Sequence, residues 1–152
     1  MKKLILVRGL PGSGKTTFAK FLLGSLENDI DVTVCAADDY FYDDDGKYHF
    51  DAGQLYNAHL SCQQNVEIAM LRADEKHRDF LLGDSKEDAN AVVIVHNTTT
   101  APKELKVYTD LADRYDFEVT SLIVENRHGN KSVHNVPEEA LDRMRGRFEV
   151  KL

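Results

Sequence analysis

The sequence predicts an α/β fold with a doubly wound, mostly parallel sheet of about four to five strands and helices on both faces. Short apolar runs at residues 3–8, 32–36, 91–95 and 117–124 are typical of buried parallel strands. Segments with apolar residues at helical spacing separate these runs. Regular alternation of strand and helix favours parallel pairing with right-handed crossovers.

Each predicted helix has its own signal. Phe18, Phe21, Leu22 and Leu26 give the first its apolar side. The second, from Leu55, is long, and we interpret His59 on its apolar stripe as a buried, hydrogen-bonded histidine rather than a ligand. The third and fourth open at Pro102 and Pro137, because the first helical turn does not need the N–H that proline lacks. Acidic residues open the last helix and basic residues close it, which complements the helix dipole.

Composition indicates one domain over residues 1–152. Hydrophobic residues make up 42% and charged residues 30%, and no apolar run approaches the ~20 residues of a membrane span. The apolar stretch from Leu4 to Val7 is too short for a signal peptide, so we expect a cytoplasmic protein with no membrane partner. Cys35 and Cys62 are expected to be reduced core thiols rather than a disulfide or zinc ligands.

The net charge is −7 and is unevenly distributed. Six aspartates lie within residues 38–54 against one lysine, whereas residues 126–152 contain six basic and four acidic residues. An acidic chain is a poor non-specific nucleic-acid binder, although this does not exclude a short basic groove.

Residues 9–16 match the phosphate-loop pattern G-x-x-x-x-G-K-[ST] in full. An apolar strand precedes this phosphate loop and an amphipathic helix follows it, which is the context the motif requires. Glycines let the backbone approach the phosphates, successive N–H groups form an anion cradle, and the helix dipole points at the same place. Lys15 is expected to contact the β- and γ-phosphates, and the Thr16 hydroxyl to ligate Mg²⁺. We therefore predict a site for ATP or another nucleoside triphosphate with Mg²⁺, formed by Gly9, Gly12, Ser13, Gly14, Lys15, Thr16 and Thr17.

Polar residues at other predicted strand ends are candidates for catalysis, because these ends face the ligand crevice of a parallel sheet. Asp38 follows the second strand, and its carboxylate is our candidate either to accept a proton from an acceptor hydroxyl or to hold a water bound to Mg²⁺. For Asp39, both the same role and a place in a solvated turn remain open. We interpret residues 43–45 as a solvated acidic turn. Asn97 and Thr98 either contact phosphate, metal-bound water or acceptor, or simply cap a loop.

Residues 125–136 form a polar segment that we interpret as a lid. Arg127 in this segment is our candidate to stabilise transition-state charge on the transferring phosphoryl group. Lys131 is either a second contact of this kind or part of a solvated loop.

The chain resembles, over nearly its whole length, the kinase domain of T-even phage polynucleotide kinase and related small P-loop proteins, including the Nedd4-binding-protein-type domain. The opening MKKLILVRGLPGSGKTT, the DDY at residues 38–40, VHNTTTAPKE at 95–104 and the tail from residue 127 carry the resemblance. It implies a P-loop kinase fold, Asp38 as general base toward a 5′-hydroxyl and Arg127 as the lid arginine. It also implies host cytoplasm as the location if a phage encodes the protein. Two positions depart from the family: His96 stands where it usually has Asp, and Phe41 where the polynucleotide kinase has an acceptor-binding arginine.

These observations predict an ATP- and Mg²⁺-dependent phosphotransferase acting on a hydroxyl of a nucleoside, nucleotide or nucleic-acid 5′ end. The alternatives are a nucleotide-binding regulatory or adaptor module and a slow hydrolase with no acceptor. The acidic segment favours a small or short acceptor over a long duplex. Tyr40, a candidate acceptor contact, and Phe41 are expected to stack on one base.

Overall fold

The computed structural model describes residues 1–99, 101–126 and 135–148. Strands and helices alternate as the sequence predicts. Four strands and four α-helices lie in these ranges: β1 (Lys2–Arg8), α1 (Lys15–Ser25), β2 (Asp31–Cys35), α2 (Leu55–Leu82), β3 (Ala91–Val95), α3 (Pro102–Tyr115), β4 (Glu118–Ile123) and α4 (Glu138–Arg147). The polar connection after β2 also contains two 3₁₀ turns, at Ala37–Phe41 and Ala52–Gln54, which the sequence pattern did not predict.

The described strands form one parallel sheet in the order β2-β3-β1-β4. Leu4 of β1 lies opposite Val93 of β3 and Val119 of β4. β1 and β2 are consecutive in the chain, but β3 lies between them in the sheet. The loops after β1, β2 and β3 therefore meet at the carboxyl edge of the sheet.

Helices cover both faces of the sheet, as predicted. On one face, strand residues such as Leu6 and Val95 pack with buried residues of α2 and α3, including Met70 and Leu105. On the other, Val7, Val92 and Ile94 pack with Ala19 of α1. Alternation of the two sets along β1 and β3 follows from the two-residue period of a strand. The predicted α/β fold class is confirmed.

Two smaller predictions have opposite outcomes. Cys35 and Cys62 are both buried and free, as expected, and burial raises the pKa of the Cys35 thiol to about 12. His59, in contrast, is exposed, so the prediction that it is buried was wrong. The buried stripe of α2 runs through Ala58 and Cys62, and His59 lies one residue, about 100° of helix rotation, away from Ala58. Among the helices described, none is both long and apolar enough to span a membrane.

Candidate functional site

The phosphate loop is a tight turn that a side chain would fill. A Cβ built on Gly9 would lie 2.5 Å from both Val124 O and Ser13 Oγ, far inside van der Waals contact. Gly12 and Gly14 have φ angles of 78° and 97°, in the left-handed region that glycine tolerates best. Because Ser13 N–H donates to Leu10 O at 3.0 Å, the loop closes on itself just before α1.

The N-terminus of α1 lies directly after this turn. Its first helical hydrogen bond runs from Phe18 N–H to Gly14 O, at 2.9 Å. The backbone N–H groups of Lys15, Thr16 and Thr17 therefore have no acceptor within the helix, and the positive end of the helix dipole coincides with them. Thr16 and Thr17 are exposed. A helix start of this kind suits a phosphate group.

Lys15 is only partly exposed, and its ammonium donates to Leu10 O at 2.9 Å. Burial lowers the pKa of Lys15 to about 8, and the negative charge of Asp38 opposes this shift. The phosphate loop and the end of β2 both lie at the carboxyl edge of the parallel sheet. A phosphate anion beside Lys15 would favour its charged form further.

Contacts that the sequence did not predict hold the phosphate loop and the loop after β3 in place. Arg8, which is 1% exposed at the end of β1, donates from Nε to Thr99 O at 3.1 Å. Asn126 donates to Gly12 O at 3.0 Å. The only available signal for Arg8 was an arginine closing an apolar strand, since the identity of its partner depends on the pairing of β1 with β3. Ser13 Oγ is buried and has no hydrogen-bond partner among the described residues.

The two aspartates after β2 have different surroundings. Asp39 accepts a hydrogen bond from Ala36 N–H at 3.0 Å, so its carboxylate caps the 3₁₀ turn Ala37–Phe41. Asp38 is exposed, accepts from Tyr48 Oη at 3.2 Å, and is close enough to Lys15 to affect its pKa. The Asp39 carboxylate thus holds the turn, whereas the Asp38 carboxylate is bonded to Tyr48 and its charge acts on Lys15.

His96 directly follows β3, the strand that lies between β1 and β2 in the sheet. The backbone N–H of His96 donates to Cys35 O at 3.1 Å. Burial lowers the pKa of the imidazole and Lys15 acts in the same direction, whereas Asp39 and Asp38 oppose them. Burial therefore favours the neutral form of the His96 side chain.

Asn97, which is 7% exposed, has its amide engaged within the protein. Its Oδ1 accepts from Ala37 N–H at 2.8 Å, and its Nδ2 donates to Tyr108 Oη at 3.1 Å and Cys62 Sγ at 3.6 Å. Of the two interpretations open from the sequence, the structure supports the one in which Asn97 fastens a loop. Thr98 is half-buried, and its carbonyl accepts from Gly9 N–H at 3.3 Å.

Tyr40 and Phe41 were both expected to stack on a base, but only Tyr40 is exposed. Phe41 is 5% exposed and belongs to the core under α2, so it is not available to a base and this prediction was wrong. Tyr40 is 44% exposed and its hydroxyl donates to Gln54 Oε1 at 3.3 Å. The short 3₁₀ turn points successive side chains in different directions, which the sequence alone did not reveal.

Two predicted site residues, Arg127 and Lys131, lie outside the described residues. The described part of the chain contains no group of three or more His, Cys, Asp or Glu side chains arranged to hold a metal ion. Mg²⁺ in phosphoryl-transfer sites takes few ligands from protein and several from phosphate and water, and the Thr16 hydroxyl fits that pattern.

A match to a known protein family agrees with this phosphate loop at the carboxyl edge of a parallel sheet. A family model described as an AAA domain (AAA_33) matches residues 4–150. The chain belongs to this family. It is accordingly a P-loop, kinase-like nucleotide-binding domain.

A curated relative of this AAA-family domain is human NEDD4-binding protein 2, which is 29% identical over 148 residues. That alignment covers 93% of the chain but 7% of the human protein, so the chain spans a small part of its relative. This match supports the resemblance to the Nedd4-binding-protein-type domain. A phage origin finds no support in these comparisons.

Solved structures share the fold at low sequence identity. Chaetomium thermophilum Kti12 in complex with ADP-AlF₃ superposes with a TM-score of 0.58 at 16% identity, covering 96% of the AAA-family domain and 80% of that chain. A chain of the Pnkp1/Rnl/Hen1 complex gives 0.54 at 17% identity, covering 99% of the domain and 40% of that chain. These likenesses support the α/β fold with four parallel strands.

Proposed function

We propose that this domain is a phosphotransferase that moves the γ-phosphoryl group of ATP to a hydroxyl of a nucleoside, nucleotide or nucleic-acid 5′ end. The observation that carries the proposal is the position of two groups at the carboxyl edge of one parallel sheet: the phosphate loop with Lys15 follows β1, and Asp38 follows β2. A phosphate-binding cation and a carboxylate are the two side chains that transfer to a hydroxyl requires at one site. The sequence resemblance to the polynucleotide kinase domain points toward the same chemistry.

The proposed reaction uses few protein groups. Gly9, Gly12, Ser13 and Gly14 form the turn that receives the phosphates, and the N–H groups of Lys15, Thr16 and Thr17 face them. Lys15 gives up Leu10 O and takes phosphate oxygens as its partners. Mg²⁺, when bound with Thr16 as a protein ligand, supplies further positive charge to the phosphates.

Asp38 accepts the proton of the acceptor hydroxyl in this scheme. The hydroxyl oxygen forms a bond to the γ-phosphorus while the bond to the β–γ bridging oxygen breaks, and ADP leaves. Positive charge from Lys15, and from Arg127 as we propose from the sequence, stabilises the charge that develops on the transferring group. Asp39 and Asn97, by contrast, support the backbone around Ala36 and Ala37 and have no direct part in the chemistry we propose.

Charge supports a small or short acceptor. A duplex carries about one negative charge per 1.7 Å of axis and is bound through several well-placed cations. Asp38, Asp43 and the exposed Asp44 and Asp45 follow β2 at the edge where an acceptor would enter. The exposed ring of Tyr40 offers an apolar surface for one base beside Asp38. Phe41, in place of the arginine found in the polynucleotide kinase, adds no positive charge there.

The test is transfer from γ-labelled ATP in the presence of Mg²⁺ to a panel of nucleosides, mononucleotides, short oligonucleotides and blunt duplexes. We expect a labelled product and acceptor-dependent loss of ATP, with kcat/KM higher for the small or short acceptors. Comparison at two salt concentrations should show a shallow dependence for them. A duplex that reacts best, with a steep salt dependence, would move the assignment to nucleic-acid end repair. ATP binding without labelled product from any acceptor would instead support the binding-module or hydrolase alternatives.

A further inference from the structure

Tyr48 donates its phenolic hydrogen to Asp38 Oδ1, with 3.2 Å between the two oxygens. Tyr48 is ten residues further along the chain and is only partly exposed. Burial and the adjacent Asp38 charge raise the pKa of Tyr48 above its usual value, so the hydroxyl keeps its proton at neutral pH. It is therefore a permanent donor to this carboxylate.

A small hairpin holds the Tyr48 ring in position. Tyr42 and Tyr48 form an antiparallel bridge, and His49 N–H donates to Phe41 O at 2.8 Å. The Tyr48 ring packs edge-on against the buried ring of Phe41, with 6.0 Å between centroids, and 5.1 Å from that of Tyr42. Because Phe41 belongs to the core, its contact with Tyr48 fixes the Tyr48 ring relative to the sheet.

Asp43 closes this hairpin from the other side. Its Oδ1 accepts from the N–H groups of Asp45 at 3.0 Å and Lys47 at 2.8 Å, and its Oδ2 lies 2.7 Å from His49 Nε2. Gly46 takes the left-handed conformation that the turn needs, with φ of 76°. The acidic run that the sequence presented as a solvated turn thus contains one residue that shapes the support of Tyr48.

We propose that Tyr48 is a positioning residue for the base of the proposed reaction: its hydroxyl fixes the orientation of the Asp38 carboxylate toward the acceptor. This inference rests on the proposed function. A hydrogen bond to one carboxylate oxygen from a ring that the hairpin holds in place restricts the rotation of the Asp38 side chain. Tyr48 itself retains its proton throughout the transfer.

The experiment compares Tyr48→Phe with the wild-type chain and with Tyr115→Phe. Tyr115 is a matched control because its hydroxyl also donates to a carboxylate, Glu67 Oε1 at 3.2 Å, while Lys2 Nζ contacts its carbonyl at the opposite end of the sheet. Each variant keeps its ring and loses one hydroxyl. We expect Tyr48→Phe to lower kcat by roughly tenfold with ATP affinity within about twofold of wild type. Tyr115→Phe should leave kcat and ATP affinity unchanged.

Two further readouts separate positioning from a general structural effect. In Tyr48→Phe, kcat should fall while the KM for the acceptor stays within about twofold of wild type, because the variant keeps the ring and loses only the hydroxyl that orients the carboxylate. In an Asp38→Asn background, adding Tyr48→Phe should have little further effect on kcat, since a residue that acts through Asp38 has nothing left to position.

The failures are distinguishable. If the wild-type chain transfers label to no acceptor, the proposed function fails and the role of Tyr48 with it. If the wild type transfers label, Asp38→Asn loses it, and Tyr48→Phe retains the wild-type kcat, then only the inference on Tyr48 is overturned. An equal loss of kcat from Tyr48→Phe in the wild-type and Asp38→Asn backgrounds would also overturn it.

Discussion

The Lys15 ammonium lies 2.9 Å from the carbonyl oxygen of Leu10, five residues earlier in the same loop. A neutral carbonyl compensates only part of the cost of burying a positive charge, so burial still lowers the pKa of Lys15, to about 8. This value gives the proposed nucleotide site a pH dependence within an accessible range.

The affinity for ATP should fall as the pH rises above about 8. Below that pH Lys15 of the free protein is already protonated, and binding takes up no proton there. Above it the free amine is neutral, and because phosphate favours the charged form, binding takes up a proton and weakens by up to about tenfold per pH unit. Calorimetric titration between pH 7 and 9.5 measures this slope.

Lys15→Ala serves as the control for that titration. The variant should bind ATP much more weakly and lack the slope, because the titrating group is gone. A wild-type affinity that is flat across the whole interval, or an affinity unchanged in the variant, would contradict the role of Lys15.

Gly9→Ala should destabilise the fold and weaken nucleotide binding. The new Cβ would lie 2.5 Å from the backbone oxygen of Val124, which moves only if β4 or the loop shifts. Gly24→Ala is the matched control: nothing lies within 4 Å of its new Cβ, and within a helix alanine is favoured over glycine by about 1 kcal/mol. Thermal unfolding should therefore show a lower Tm for Gly9→Ala and an equal or higher Tm for Gly24→Ala. Equal Tm values and ATP affinities for Gly9→Ala and wild type would refute the tight turn.

Asp38→Asn and Asp39→Ala should separate chemistry from structure. Asp38→Asn should retain the fold and ATP binding but lower turnover by roughly 10²–10⁴, the usual scale for a general base. Asp39→Ala removes the acceptor of Ala36 N–H and should lower the free energy of unfolding by about 1 kcal/mol. Turnover and denaturant unfolding are measured on the same preparations. Wild-type turnover in Asp38→Asn would show that Asp38 is not the base.

Asn97→Ala should lower the free energy of unfolding by about 2 kcal/mol, because the buried Ala37 N–H loses its acceptor and Tyr108 loses a donor. Asn57→Ala, which removes an exposed contact to Gln54, should change it by less than about 0.5 kcal/mol. Urea unfolding with an unchanged m-value is the measurement. Unchanged stability combined with a raised acceptor KM would restore the interpretation of Asn97 as an acceptor contact.

Much of the fold follows from local sequence patterns. The runs at 3–8 and 91–95 contain apolar, β-branched residues bounded by polar or glycine-rich segments, and both are strands in the structure. For three of the four strands, the predicted boundaries differ from the observed ones by one residue. The last helix also differs by one residue, because Pro137 precedes α4 rather than beginning it. The phosphate loop was predictable because its function depends on a continuous stretch whose backbone requirements are visible as glycines.

The sequence by itself determined which elements form, the phosphate loop and the residue types available at the strand ends. Only the tertiary structure decided the partner and direction of individual side chains: Asp38 toward Tyr48, Asp39 toward Ala36, Asn97 toward Ala37 and Tyr108, Phe41 into the core and His59 out of it. The physical reason is that periodicity reports the average environment of a face, whereas a hydrogen bond depends on the rotation of individual residues. In the segment between β2 and α2, short 3₁₀ turns and a hairpin set that rotation through contacts with distant parts of the chain.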